Sequence, residues 1–570
     1  MKNNIRKNGI SLLVLIITII IITILAGTVI LSLSQNNPIS QASEAKFKAN
    51  VASMNDELTL WLTKEYVENP DTFNISNVNA NETVGEYDNL KITDIISSMG
   101  PEYESKFEIQ NGKLVYIGTD TNEQNLVSEV NIPVLTSKQE LLNPLIWLKT
   151  TDMITDWITN TTTLTAGGVT AVTGVTNELY ARVLWNYNKN TLKFSNFTNN
   201  PKTSMLSNTM TAIALLDAYE YTKDGLYSAR AYEIGDQIAG TLISGKIYDE
   251  EPHKFIVTEE TQNTGWADAY DNVYTQDIAL AATLQFRLYM LTNEVKFKDA
   301  GNALMETLCW SQDYADYTTV AGGGGPYPNE ISGGIHEYFT YQGNQEGTDV
   351  FYPTETLFSL GNADMIVTAF QTAYQATNDI GYQNRLDWYE WFLTNLLKNY
   401  GCINANGYIY EYYADQGDGW KPQNWNNVNN TWGPNEPFTA NIFFHCALGV
   451  AKLDTVLGAQ LLSKADEMQD NNMFHGQYNT DGTPDLNEDY FESISTGMYL
   501  ELQKIIDKNK IGRILNIQDT LINMMTTNSP TDKNAQYAFE WSTNAHDGII
   551  ESIATSSIIS NIINSILRYN

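Results

Sequence analysis

Cysteine is almost absent. The three in this chain, Cys309, Cys402 and Cys446, are too few and too odd in number for a disulfide framework, and their spacing fits no zinc pattern. They read as buried free thiols, with room for one disulfide at most. Positive charge is also short: 33 Lys and Arg stand against 67 Asp and Glu, a net charge of −34. That balance argues against nucleic acid, or an anionic membrane surface, as a partner of the bulk of the chain. There is no phosphate-binding P-loop, no dinucleotide glycine fingerprint and no serine nucleophile elbow. No cofactor is expected. The stretch with Asp481, Asp485, Asn487 and Asp489 offers oxygens to a hard cation such as calcium, but fits no EF-hand and reads as a solvated acidic turn.

Long apolar runs are limited to one. Residues 10–33 are an almost unbroken series of Ile, Leu, Val and Thr, preceded by Lys2, Arg6 and Lys7 and no acid. Such a run is long enough to span a bilayer as a helix, and the basic residues ahead of it would stay in the cytoplasm. The expected location is therefore the cell membrane, single-pass, with the large remainder extracellular. The run is too long for the apolar region of a secretory signal peptide. At 570 residues the chain also exceeds one ordinary core, so two or more domains are expected.

The boundary of that run carries a resemblance. A short basic leader ending in Gly9, followed by Ile10-Ser11-Leu12-Leu13, resembles type IV prepilins and type II secretion pseudopilins. The resemblance implies cleavage between Gly9 and Ile10 by a prepilin peptidase, methylation of the new N-terminus, and pilus or type II secretion machinery as further partners. Val14 stands where the family usually has a glutamate that guides packing into a filament, which weighs against a role as a major pilus subunit. Behind the run, Phe47, Val51, Met54, Leu58 and Trp61 recur at helical spacing over about 42–67, with Pro38 placed to kink the rod. Alternating segments from Lys106 to Ile117 flank Asn111-Gly112 and predict a β-hairpin. A leader over 1–9 and a pilin-like module over 10–135, with a transmembrane helix at about 10–33 and a small antiparallel β-sheet, follow from this reading.

From about residue 136 the pattern is mainly α. Three stretches repeat one another: Tyr219 to Tyr227, Tyr289 to Phe297, and Tyr374 to Tyr382. Each has the form Tyr-x-x-Thr-Lys/Asn-acid-x-x-aromatic, a tight turn between two helices in which Thr and the acid cap the second helix. Five helix pairs follow, at about 203–243, 275–311, 355–399, 437–470 and 488–527. Two helices, about 140–159 and 549–568, remain to close a sixth pair. Turn motif and count resemble the six-hairpin glycosidase superfamily and imply an (α/α)6 toroid over 136–570. That superfamily includes glycoside hydrolases, polysaccharide lyases and sugar epimerases.

Connections between the pairs are long, and long loops in a compact domain are usually functional. They hold Trp266, Tyr327, His336, Tyr410, Trp420, Trp432, Trp541 and His546. Aromatic faces stack on sugar rings while polar groups bind hydroxyls, so these are the candidate substrate-binding residues and carbohydrate is the expected substrate. Glycoside hydrolysis needs two flanking carboxyl groups. Asp271, Glu355, Glu436 and Asp547, each at or before a predicted helix start, are the candidates, although acids also cap helices there. His445 sits in an apolar helix and reads as a core histidine. The expected function is an extracellular, membrane-tethered carbohydrate-active enzyme, a glycoside hydrolase ahead of a lyase or epimerase. The alternative is a minor pilin whose non-catalytic toroid acts as a glycan-binding adhesin.

Overall fold

The computed structural model describes residues 38–568, apart from 69–76, 131–137, 159–163, 167–168, 172–178, 195–201, 249–251, 257–258, 262–271, 317–330, 346–347, 427–428, 486–489, 528–530, 543–547 and the single positions 84, 86, 88, 111, 355, 418 and 509. The chain divides into two compact units, Met1–Thr136 and Ser137–Asn570.

In the first unit, helix α1 (Pro38–Glu68) precedes a hairpin of β1 (Phe107–Gln110) and β2 (Lys113–Tyr116), and α2 (Thr121–Glu129) follows. Pro38 opens α1 instead of kinking it, since the first N–H of a helix has no partner within the helix to lose. Phe47, Val51, Met54 and Leu58 share one buried cluster with Phe107, Ile109, Leu114 and Tyr116. Gln110 pairs with Lys113. This leaves a two-residue turn, and Gly112 takes its φ of 72°, a conformation that favours glycine.

Among the described residues no helix is long and apolar enough to cross a membrane, which overturns the single-pass membrane location. The longest helix, α1 with 31 residues, carries Glu44, Lys46, Lys48, Asp56, Glu57, Lys64 and Glu65 along its length, and a hydrocarbon core would not accept them. The run 10–33, Gly9 and Ile10 lie outside the described residues, and so does the pilin-like leader they make up.

The second unit begins with α3 (Pro144–Thr150) and continues as helix hairpins: α4 (Met205–Thr222) with α5 (Gly225–Gly240), α6 (Thr275–Thr292) with α7 (Val295–Asp316), α8 (Ala363–Thr377) with α9 (Ile380–Asn399), α10 (Ala440–Leu453) with α11 (Thr455–Met468), and α12 (Ser493–Asp507) with α13 (Ile511–Met524). The last helix is α14 (Ser552–Leu567). The first helix of each pair is inner. Each of α4, α6, α8, α10, α12 and α14 packs on the next, and α14 returns to α4 to close the ring. The helix expected over 140–159 is shorter. It ends at Thr150, and Ile154–Ile158 is a strand, as its β-branched residues favour.

The repeated turn works by a definite set of bonds. Lys223, Asn293 and Asn378 take φ values of 60°, 58° and 54°, and their N–H groups donate to the carbonyls of Tyr219, Tyr289 and Tyr374. These are left-handed helix C-caps. Thr222, Thr292 and Thr377 belong to the end of the first helix, where each hydroxyl bonds the carbonyl four residues back and accepts the N–H of the following acid. Asp224 and Asp379 then cap the next helix through Leu226 and Gly381.

Inner helices are apolar or small-residue nearly all round, as burial on every side requires. A Cβ at Gly449 in α10 would lie 2.7 Å from the Ala363 carbonyl carbon of α8, so this crossing needs glycine. Outer α9, by contrast, buries one stripe: Leu386, Tyr389, Phe392, Leu393, Leu396 and Leu397. Ion pairs cross between inner helices. Arg287 of α6 meets Asp217 at 2.8 Å and Glu220 at 2.7 Å on α4. Lys452 of α10 meets Asp364 of α8 at 2.5 Å and Glu501 of α12 at 3.7 Å.

The connections between hairpins build sheets. One has five strands, in the order β4 (Pro252–Phe255), β3 (Ile243–Ile247), β7 (Thr348–Pro353), β6 (Tyr338–Gln345) and β5 (Asn272–Tyr274). Another has four: β8 (Leu357–Ser359), β9 (Tyr412–Asp415), β10 (Trp420–Asn426) and β11 (Thr431–Gly433).

Arg287→Ala tests the buried charge between α4 and α6. It strands Asp217 in the core without its guanidinium and should cost about 3–5 kcal/mol. Denaturant unfolding should show a clearly lower midpoint, and an unchanged midpoint would contradict this account of the ring.

Candidate active site

A cavity of about 250 Å³ opens where the inner helices begin. Leu206 of α4, Gln276 of α6, Met365 of α8, Asn441 of α10, Ile494 of α12 and Ile553 of α14 all line it, and each lies in the first turn of its helix. It therefore sits on the axis of the ring, and six helix N-termini converge on it. Tyr274, Tyr412 and Trp541 supply aromatic faces. Asn362, Gln276 and Asn441 supply amides, and Glu337 and His445 supply groups able to move protons.

The backbone at Glu337 is pinned from two sides. Its carbonyl accepts the Thr275 N–H at 2.9 Å and the Thr275 hydroxyl at 3.0 Å, at the start of α6. Its own N–H donates to Leu357 in β8 at 3.2 Å. Its neighbour His336 faces the core. That ring is fully buried, with Nδ1 3.1 Å from Ser311 Oγ and Phe358 packed beside it. Burial drives the His336 pKa down to about 3, so the ring stays neutral and structural.

Glu337 is pushed the other way. Burial, reinforced by the Glu411 charge, raises its pKa to about 8, and among the described residues none donates a hydrogen bond to its carboxyl. At neutral pH it keeps its proton. Burial also raises the pKa of Glu411, but three donors to its carboxylate oppose that shift. They are the Thr439 N–H and hydroxyl, both at 2.6 Å, and the Trp425 N–H at 3.2 Å. One carboxyl is thus a satisfied acceptor that clamps β9 and β10 to the start of α10, and the other is an acid with a free proton facing a cavity. Burial raises both carboxyls, but only Glu337 lines the cavity.

His445, expected in the core of α10, instead lines the cavity. Its Nδ1 lies 3.9 Å from Asp364. Burial works against ionisation of Asp364, but Lys452 together with His445 outweighs it and holds that carboxyl below the usual range. An anion therefore stands behind the imidazole. Other acids mark the inner helix starts. Burial raises Asp277 to about 7, Glu492 to about 8 and Glu551 to about 7, although none of the three lines the cavity.

Trp541 lines the central cavity, held where its carbonyl accepts from Ser493 at the start of α12. Tyr410 and Trp432 line a second cavity of about 630 Å³. Trp420 packs on Tyr413 and Phe358, and His336 is in the core. Glu436 does not line the central cavity; its carboxylate accepts from Asn426 at 2.9 Å and Thr431 at 3.0 Å. Asp271, Glu355, Asp547, Trp266, Tyr327 and His546 lie outside the described residues, as do positions 486–489 of the acidic turn. Sequence reasoning did not select Glu337, Tyr412, Asn441 or His445. The available signal was the pair His336-Glu337 inside an aromatic loop, where consecutive side chains of extended backbone face opposite ways.

No protein-family model matches the sequence, and no curated protein matches it. Solved structures similar in fold include a D-mannose isomerase, at 12% identity and a TM-score of 0.47 over 67% of this chain and 92% of that one. An inactive variant of an alpha-1,6-mannanase from Salegentibacter sp., bound to alpha-1,6-mannotriose, matches at 12% identity and a TM-score of 0.43 over 75% and 99%. A cellobiose 2-epimerase from Bacillus thermoamylovorans matches at 10% identity and a TM-score of 0.49 over 75% and 98%. At these identities, with each TM-score below 0.5, the likeness settles neither family nor activity for this chain.

The Glu337 shift has a consequence for stability. Its folded pKa is raised to about 8 from an ordinary 4.5. The stability linked to its proton is full below about 4.5 and is lost as pH rises through about 8, because the unfolded chain releases that proton first. Glu337→Gln removes this loss. The variant should melt above the parent at pH 8 and close to it at pH 4.5, as calorimetry would show; a constant difference across that range would contradict the shifted acid.

Proposed function

We propose that the ring domain is a carbohydrate-processing enzyme that cleaves a glycosidic bond of an oligo- or polysaccharide, with Glu337 as the general acid. One observation carries this reading: a glutamic acid that keeps its proton at neutral pH faces a small cavity walled by aromatic rings and amides. Protonation of a leaving-group oxygen needs an acid in that state. Tyr274, Tyr412 and Trp541 offer apolar faces to a sugar ring, and Gln276, Asn362 and Asn441 offer donors and acceptors to its hydroxyls. The converging helix N-termini favour negative charge at the mouth, which suits a carboxylate opposite a positively charged transition state. Asp271, Glu355 and Asp547 are our candidates for that second carboxyl.

A second reading rests on His445. An imidazole backed by an ionised Asp364 and lining the same cavity as a protonated acid could move a proton on a sugar carbon, which is the chemistry of epimerisation or isomerisation.

Incubation of the full chain with neutral glycans and reducing sugars separates the two readings. New reducing ends without isomerised sugar would support cleavage, and the reverse would support the second reading. In either case Glu337→Gln should lower turnover by about 10²–10⁴-fold, and parent activity should fall as pH rises through about 8. Full activity in the Glu337→Gln variant would exclude it as the acid.

A further inference from the structure

The four-stranded sheet has two chemically different faces. Residues opposite each other across paired strands share a face, and alternate residues along a strand return to it. Tyr412 stands opposite Gln423 and Ala414 opposite Lys421, and Trp425 stands opposite Trp432. One face therefore carries Tyr412, Lys421, Gln423, Trp425 and Trp432. The other carries Tyr413 and Trp420, which stack on one another at 5.7 Å while Trp420 packs on Phe358 at 5.2 Å in the core. Core packing thus accounts for Tyr413 and Trp420, but not for the half-buried rings of Tyr412, Trp425 and Trp432 on the first face.

Residues of the first face line both cavities. Tyr412 lines the central one. Trp432, Gln423 and Lys421 line the second, larger one together with Tyr410. Trp432 meets Tyr412 edge-on at 5.1 Å and Trp425 at 4.9 Å. An unbroken aromatic path therefore leads from the axis of the ring out along the sheet. Aromatic faces interleaved with amides are what successive pyranose units require: a ring to stack on and partners for the hydroxyls. Charge narrows the class. Among the described residues lining the two cavities, Lys421 is the one lysine or arginine, on a chain of net charge −34. A polyanionic glycan would be repelled.

We propose that this sheet face binds further units of a neutral saccharide chain whose reacting end lies in the central cavity. The substrate is then a neutral oligo- or polysaccharide several units long, in preference to a free monosaccharide. This deepens the carbohydrate reading of the central cavity and rests on it.

Affinity electrophoresis of the full chain through gels containing mannan, glucan or xylan tests the surface without requiring turnover. The parent and Glu337→Gln should both be retarded by at least one of these polymers. Trp432→Ala and Tyr410→Ala should bind it about tenfold more weakly, the loss expected for one well-packed aromatic contact. Thermal melting would verify that both variants are folded, and Tyr410→Ala, which removes a ring outside the paired strands, serves where Trp432→Ala does not fold. Equal retardation of all forms, with Glu337→Gln inactive, would overturn the sheet surface and leave the catalytic reading standing. Absence of both retardation and turnover with every polymer would overturn the two together.

Discussion

Closure of the inner ring is the constraint on which the rest of this structure depends. Helix α14 packs back on α4, so six inner helices share one axis and begin around one cavity. Everything between the hairpins must then be accommodated around those starts, and the sheets form there. The ring also explains the buried ions. Asp217, Arg287, Asp364, Lys452 and Glu501 lie on inner-helix faces turned to other inner helices, where a charge survives only when paired.

The same closure creates the chemistry. A carboxyl at the mouth of a packed ring is desolvated whether or not it is useful, and several acids there have raised pKa values for that reason, among them the four Asp277, Glu337, Glu492 and Glu551. What distinguishes Glu337 is access. It alone of the four lines the cavity, and the Glu411 charge behind it adds to the effect of burial. Glu411 reaches that position because three hydrogen bonds clamp it to the start of α10 and to β10. A structural carboxylate thus helps to tune a cavity-lining acid.

The ring was legible in the sequence wherever local chemistry specifies geometry. The Tyr-x-x-Thr-Lys/Asn-acid turn could be read because a left-handed cap, a back-bonding threonine and a capping acid are all local requirements, and the bonds at Lys223, Asn293 and Asn378 meet them. The detail that threonine ends the first helix instead of starting the second was not visible, since both arrangements use the same residues. The site was harder to read. Asp271, Glu355, Glu436 and Asp547 were chosen as acids near helix starts, but Glu337 is far from α6 in sequence and reaches its first turn only through pairing of β5 with β6 and the Thr275 bonds. His445 looked like core because its neighbours Phe443, Phe444 and Cys446 are apolar, yet the rotation of about 100° per residue along a helix is enough to aim it at the axis. The membrane expectation rested on residues 10–33, and the described helices offer no span to replace them.

The most direct measurement is a crystal structure of the Glu337→Gln variant soaked with a neutral oligosaccharide. The account predicts one sugar ring in the central cavity between Tyr274, Tyr412 and Trp541, with a glycosidic oxygen within hydrogen-bond reach of the substituted side chain. Further units should run over Tyr412 toward Trp432. A saccharide bound elsewhere on the ring, with the axial cavity empty, would contradict it.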